Sequence, residues 1–416
     1  MNQKKWDVPF ARSQFPAFSE YLAKSMVHLD NAGGTYLCSA VLERLNHFNL
    51  HNKIQAYSPN SISQAAGQQL DAGRNLMAEL LNVDADTLTL GPSTTQNINN
   101  LAMACEGFIT AGDEIILTGQ EHEANVGAWE RMAKRLGASI VFWKIDPATG
   151  ELDPGTLKKI ISPKAKILAF THVSNIIGTI NPYEEIIAIA KQQGLRVVVD
   201  GVAYAPHHWP NIIASGADAY CFSSYKVVST HLGIMYTHSD FLKELSPQCH
   251  YFNSHKPQSK LDSAGPNHAQ IAALAGLADY FSTLHQHHYG PSEKNLYEKT
   301  VEVNVLSNLH EQKLCSILLA TVKQLPVTLY GQAESSHQRE AIISLKPHNI
   351  SSKKLNEELG HQQFAIKNGH FYALRLLESL GIKDPEDGVL RFSLFNYNTE
   401  EEIHRLCDAL KNILLV

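Results

Sequence analysis

From about residue 85 the chain alternates short, continuously apolar runs with stretches of helical period. TLTL (87–90), EIILT (114–118), SIVFWK (139–144), KILAFT (166–171), RVVVD (196–200), AYCFS (219–223) and GIMYT (233–237) read as strands. Most lack the in-and-out alternation of a half-exposed strand, so they belong to a sheet covered on both faces. Helical segments such as PYEEIIAIAKQQG (182–194), closed by a glycine, lie between most of them. Strands alternating with helices predict an α/β fold built on a mainly parallel, mixed sheet of seven strands.

The pattern changes after about residue 275. A long helical stretch (about 267–325) precedes PVTLY (326–330), EAIISLK (340–346) and LRFSLF (390–395), which read as strands among helices. The chain closes on an amphipathic helix preceded by Thr399 and Glu402 at capping-box spacing. These features predict a large domain over 20–275 and a smaller α+β domain over 276–416, joined by residues 1–19.

Composition narrows the partners. With 18% charged and 44% apolar residues among 416, the chain is globular. A net charge of −6 gives no electrostatic reason for nucleic acid or an anionic membrane. The start MNQKKWDVPF lacks a signal-peptide core and no run reaches membrane-spanning length, so the expected location is cytoplasmic. Six scattered cysteines without a C-x-x-C pair read as reduced thiols. The histidines of CH (249–250) and HQHH (285–288) have no metal-ligand spacing and read as solvated surface, so no metal is expected.

Ligands of open α/β sheets bind beyond the carboxyl ends of the strands. One rim collects Thr94 and Thr95 at a helix start, His122, Asn175, Asp200, and Lys226 in the turn after AYCFS. Singly, each has an ordinary reading as cap or structural residue. Together they offer a helix N-terminus for an anion, a flat ring, an amide, a carboxylate and an amine. That set suits an aromatic, phosphorylated aldehyde held covalently by a lysine. It also explains a lysine in a turn where Gly, Asn, Asp or Pro is usual.

The motifs in order resemble the fold-type I pyridoxal-phosphate enzymes of the class V aminotransferase and cysteine desulfurase group. HLDNAGGTY (28–36), STTQNINNLA (93–102), EHEANVGAW (121–129), HVSNIIGTINP (172–182), VVVDGVAYAPH (197–207), SSYK (223–226) and LRFSLFNYNTEEEI (390–403) carry the resemblance along nearly the whole chain. It implies pyridoxal 5'-phosphate on Lys226 as a Schiff base, Asp200 on the ring nitrogen and His122 stacked on the ring. It further implies Thr94, Thr95 and Ser223 on the phosphate, Tyr225 beside the lysine, Asn175 on the ring hydroxyl or substrate, and Arg391 on the substrate carboxylate. The implied protein is a homodimer with a shared active site, acting on an amino acid or amino-group substrate, foremost as a transaminase. Lyase, desulfurase-like or epimerase chemistry, and an idle cofactor-binding relative, are the alternatives. A nicotinamide dehydrogenase is disfavoured because no G-x-G-x-x-G follows a strand.

The chain departs from that family pattern at several points. Tyr372 in KNGHFYALRLL (367–377) falls where a desulfurase carries its cysteine, and a phenol forms no persulfide. Ala203 replaces a glutamine, Tyr225 a histidine, and Ser229 and Thr230 a Gly-Pro turn; Gly265 stands where a neighbouring subunit gives a threonine to the phosphate. Ser229 and Thr230 are the candidates to compensate.

Overall fold

The computed structural model describes residues 4–20, 25–263 and 265–415. Its larger sheet contains β1 (Leu88–Gly91), β2 (Glu114–Thr118), β3 (Ser139–Trp143), β4 (Ala165–Thr171), β5 (Arg196–Asp200), β6 (Ala219–Ser223) and β7 (Gly233–Thr237). The order is β1-β7-β6-β5-β4-β2-β3. Only β7 runs against the rest; β4, β5 and β6 pair in parallel, as do β2 and β3. Because β7 reverses direction, the turn between β6 and β7 stays at the rim where the other strands end. Lys226 is in that turn.

Both faces of the sheet are covered, as the unbroken apolar runs require. Leu168, Val197, Val199 and Phe222 pack to one side, and Ile115, Leu117, Ile167 and Val198 to the other. All are buried. The strands match the apolar runs to within a residue at either end.

A second, antiparallel sheet of four strands follows: β8 (Val327–Tyr330), β9 (Ile342–Pro347), β10 (Lys367–Gly369) and β11 (Val389–Ser393), in the order β10-β11-β9-β8. Helices α2 (Leu296–Val322) and α3 (Glu400–Leu414) cover it, through Leu314, Leu318, Leu406 and Leu410 against Leu345, Leu390 and Phe392. The capping box forms: Thr399 accepts from the Glu402 N–H and Glu402 accepts from the Thr399 N–H. A cap of this kind is worth about 1 kcal/mol. No helix among the described residues is long and apolar enough to cross a membrane.

The HQHH run corrects its reading as solvated surface. His285 is buried and paired with Glu302 at 2.9 Å. His287 stacks on Phe10 (3.6 Å between ring centres) and pairs with Asp7, and His288 stacks on Trp6. The cluster fastens the N-terminal segment to the helix Ala275–Tyr289. Among the described residues no group of three or more His, Cys, Asp and Glu side chains is arranged for a metal ion.

Candidate active site

At the carboxyl rim of the larger sheet lies a cavity of about 210 Å³, larger than the roughly 150 Å³ that accepts a benzene ring. One end is the start of helix α1 (Thr94–Ala104). Ser93 caps it by accepting from the Gln96 N–H at 3.1 Å, and the Thr94 hydroxyl lies 2.8 Å from that of Ser223. The first N–H groups of a helix have no intrahelical acceptor, and the aligned peptide dipoles favour an anion there. Gly233, opening β7, lets this helix start press against the sheet: a Cβ would run into the backbone of Ser93 and Thr94.

The lysine turn is tightly bound. Ser224 donates through its hydroxyl to the Thr230 carbonyl at 2.6 Å, and its backbone N–H donates to the Leu232 carbonyl at 2.9 Å. Val228 takes a left-handed φ of 49°, unusual for a β-branched residue, just after the lysine. Lys226 itself is only 9% exposed, and its Nζ makes no hydrogen bond or ion pair with the described residues. Burial, then the nearby Arg391 cation, pull its amine down to about 8, against the opposing pull of Asp200 and Asp30.

Asp200 ends β5. One of its oxygens accepts from the Val202 N–H at 2.9 Å; the other makes no hydrogen bond with the described residues. Burial raises its carboxyl above the ordinary range, partly offset by that N–H and by Lys226. A buried carboxylate in this state gains most from a cation or a charged N–H donor.

His122 accepts from the Ala124 N–H through Nδ1 at 3.0 Å, and burial, Lys226 and Arg391 together push its imidazole down to about 3. It is therefore a neutral, flat ring at the cavity wall. Behind it, buried Glu121 accepts from the Asn125 amide and from the Thr171 N–H, both at 2.8 Å. Burial pushes the Glu121 carboxyl up to about 8.

Arg391 reaches in from β11 of the smaller sheet. It donates to Asp30 at 2.7 Å and to the Asn175 carbonyl at 3.1 Å, and its guanidinium centre lies 3.8 Å from the Phe371 ring centre. Its Nε is buried without a partner.

The structure thus brings together Thr94, Thr95, His122, Asn175, Asp200, Ser223, Tyr225 and Lys226 on one cavity wall, with Arg391 beside Asn175. Ser229 and Thr230 do not line it, and both hydroxyls are buried without partners. His231 lines it instead, stacked on Tyr225 at 4.5 Å between ring centres. None of the six cysteines lines it. Asp30, Glu121 and His231 escaped the sequence reading. Asp30 and Glu121 sit inside quoted motifs without an assigned task, and His231 follows the Ser229–Thr230 pair directly.

The profile of the family described as "Aminotransferase class-V" matches residues 27–406. The chain belongs to the class V aminotransferase family. Among its class V relatives is "Aminotransferase-like protein FGM3" of Gibberella zeae, 32% identical over 425 residues and covering all of both chains. A cysteine desulfurase of Yersinia pestis is 30% identical, with 97% of each chain covered. Two solved structures share the fold: cysteine desulfurase CsdA of Escherichia coli in its S-sulfonic acid form (TM-score 0.83, 23% identity, 98% and 99% covered). The other is the apo cysteine desulfurase of Thermococcus onnurineus NA1 (TM-score 0.85, 22% identity, both chains fully covered).

Proposed function

We propose that this class V chain is a pyridoxal 5'-phosphate-dependent enzyme that transaminates an amino acid or similar amino compound. The observation that carries this reading is one cavity holding a buried, unpartnered amine, an unpartnered carboxylate oxygen and a helix N-terminus. These groups fit the cofactor's aldehyde, ring nitrogen and phosphate in turn. When bound, the cofactor supplies an electron sink for the electron pair released at the substrate α-carbon.

The chain's own residues do the rest. Lys226, with its amine near 8, is partly neutral at physiological pH and serves both as covalent anchor and as the base that moves the α-proton. The free oxygen of Asp200 holds a proton on the ring nitrogen. Neutral His122, on the cavity wall, would cover one face of the ring. The α1 start with Thr94, Thr95 and Ser223 takes the phosphate. Tyr225 flanks the anchor, and Asn175 and Arg391 receive the substrate carboxylate.

Elimination by a lyase route is the second reading, supported by the desulfurase names of the relatives. A desulfurase carrying sulfur on a cysteine is disfavoured by Tyr372 and by a cavity without a lining cysteine. The active form is proposed to be a homodimer. Leu50, Tyr57 and Ile62 form exposed apolar surface, and Gly265 borders open space beside Pro92 and His231.

Borohydride reduction followed by peptide mass spectrometry tests the anchor; cofactor fixed on any other lysine refutes the assignment. An amino-acid panel with product identification tests the reaction. Release of ammonia with no amino-group transfer to a keto acid would replace transamination by the lyase reading.

A further inference from the structure

The turn Phe371–Tyr372 lies beside the cavity, packed against its lining residues His122 and Asn175. Two consecutive aromatic residues take left-handed backbone there, φ 48° and 60°. Such conformations are costly and persist only where surrounding contacts impose them. The contacts are present. The Asn175 amide donates to the Phe371 carbonyl at 3.0 Å, and the Glu123 N–H donates to the Tyr372 carbonyl at 2.7 Å. Arg375 anchors the following residues on Glu123 and Glu130.

This pinning aims two rings. Phe371 lies flat against Arg391. Tyr372 lies 5.3 Å from His122 between ring centres and close enough to Tyr225 to oppose its ionisation. Tyr372 nevertheless remains 64% exposed. The ring packs on His122 and His370 and keeps an open face toward water beside the cavity. The cations nearest the rim, Arg391 and Arg375, are already paired with carboxylates. A charged substrate side chain would find Arg375 already paired and Arg391 taken by the α-carboxylate.

We propose that Tyr372 is the specificity-determining wall of the site, and that the substrate is an amino acid with a flat, apolar side chain of the aromatic class. Phe371 positions Arg391 for its carboxylate. The proposal rests on the amino-acid reading above.

The test uses holoenzyme and measures dissociation constants for L-phenylalanine and L-alanine from the visible absorption of bound cofactor, checked by calorimetry. Phenylalanine binds more tightly. Tyr372→Ala weakens phenylalanine about fivefold, the scale of one lost ring pair, and alanine less than about twofold. Tyr372→Asn, which tolerates the left-handed backbone, gives the same loss, and Tyr372→Phe retains the preference. Equal affinities in the wild type, or equal weakening of both ligands by Tyr372→Ala and Tyr372→Asn, overturn the proposal while leaving the amino-acid reading intact. A holoenzyme that responds to neither ligand, nor to any other amino acid, overturns both.

Discussion

Replacing Lys226 by methionine is expected to stabilise the cofactor-free protein while abolishing its activity. The native environment lowers the amine from the ordinary 10.5 to about 8, chiefly by burial. At about 1.4 kcal/mol for each tenfold change in proton affinity, holding the ammonium there costs roughly 3 kcal/mol at neutral pH. Methionine keeps the stem and removes the charge. The folded state gives up its proton near pH 8, whereas the unfolded chain keeps it to about 10.5. Between those values the unfolded state binds more protons, so wild-type stability rises with pH and the advantage of Lys226→Met shrinks. Urea unfolding of both cofactor-free proteins at pH 7 and pH 10 measures the difference. A variant less stable than wild type at pH 7, or a difference that does not narrow by pH 10, would refute a desolvated amine at this position.

Four other outcomes follow from the same geometry. Asp200→Asn should retain cofactor on Lys226 yet lose at least about a hundredfold in turnover, read by absorption and single-turnover kinetics, because the ring nitrogen is no longer held protonated. Gly233→Ala should destabilise the fold by about 1–3 kcal/mol and weaken cofactor binding, seen by thermal unfolding and cofactor titration, since the added methyl pushes the α1 start off the sheet. Glu121, raised to about 8, contributes stability that is complete below pH 4.5 and is lost as pH rises through 8; Glu121→Gln should flatten that dependence in pH-resolved unfolding. Cysteine should yield no trapped protein persulfide in mass spectrometry of the six cysteines, because none lines the cavity.

The strands that carry the site were legible because burial on both faces leaves an unbroken apolar run, and their carboxyl ends were marked by an abrupt change to Ser, Thr, His, Asp or Lys. What escaped depended on partners distant in the chain. The Asp30–Arg391 pair joins residues 361 positions apart, and nothing local to HLDNAGGTY distinguishes an ion-paired aspartate from a capping one. Strand β10 is Lys-Asn-Gly, with no strand preference of its own; pairing with Val389–Arg391 makes it a strand. The left-handed backbone at Phe371–Tyr372 runs against the preference of both residues and is imposed from Asn175 and Glu123. His285 looked like surface because its burial depends on the packing of the helix Ala275–Tyr289 and its partner Glu302.

The reach of Arg391 across from the smaller sheet also orders the birth of the site in time. Its contact with Asn175 closes a loop of 216 residues and that with Asp30 one of 361. Contacts so distant form slowly, because the entropy of closing the loop is lost before the contact returns anything. A nascent chain therefore exposes the lysine turn and the helix start well before β11 has been synthesised. On the reading proposed above, such a chain presents the groups for the cofactor while it still lacks the guanidinium for a substrate carboxylate. On that same reading, competence for chemistry arrives only once β11 has joined the smaller sheet.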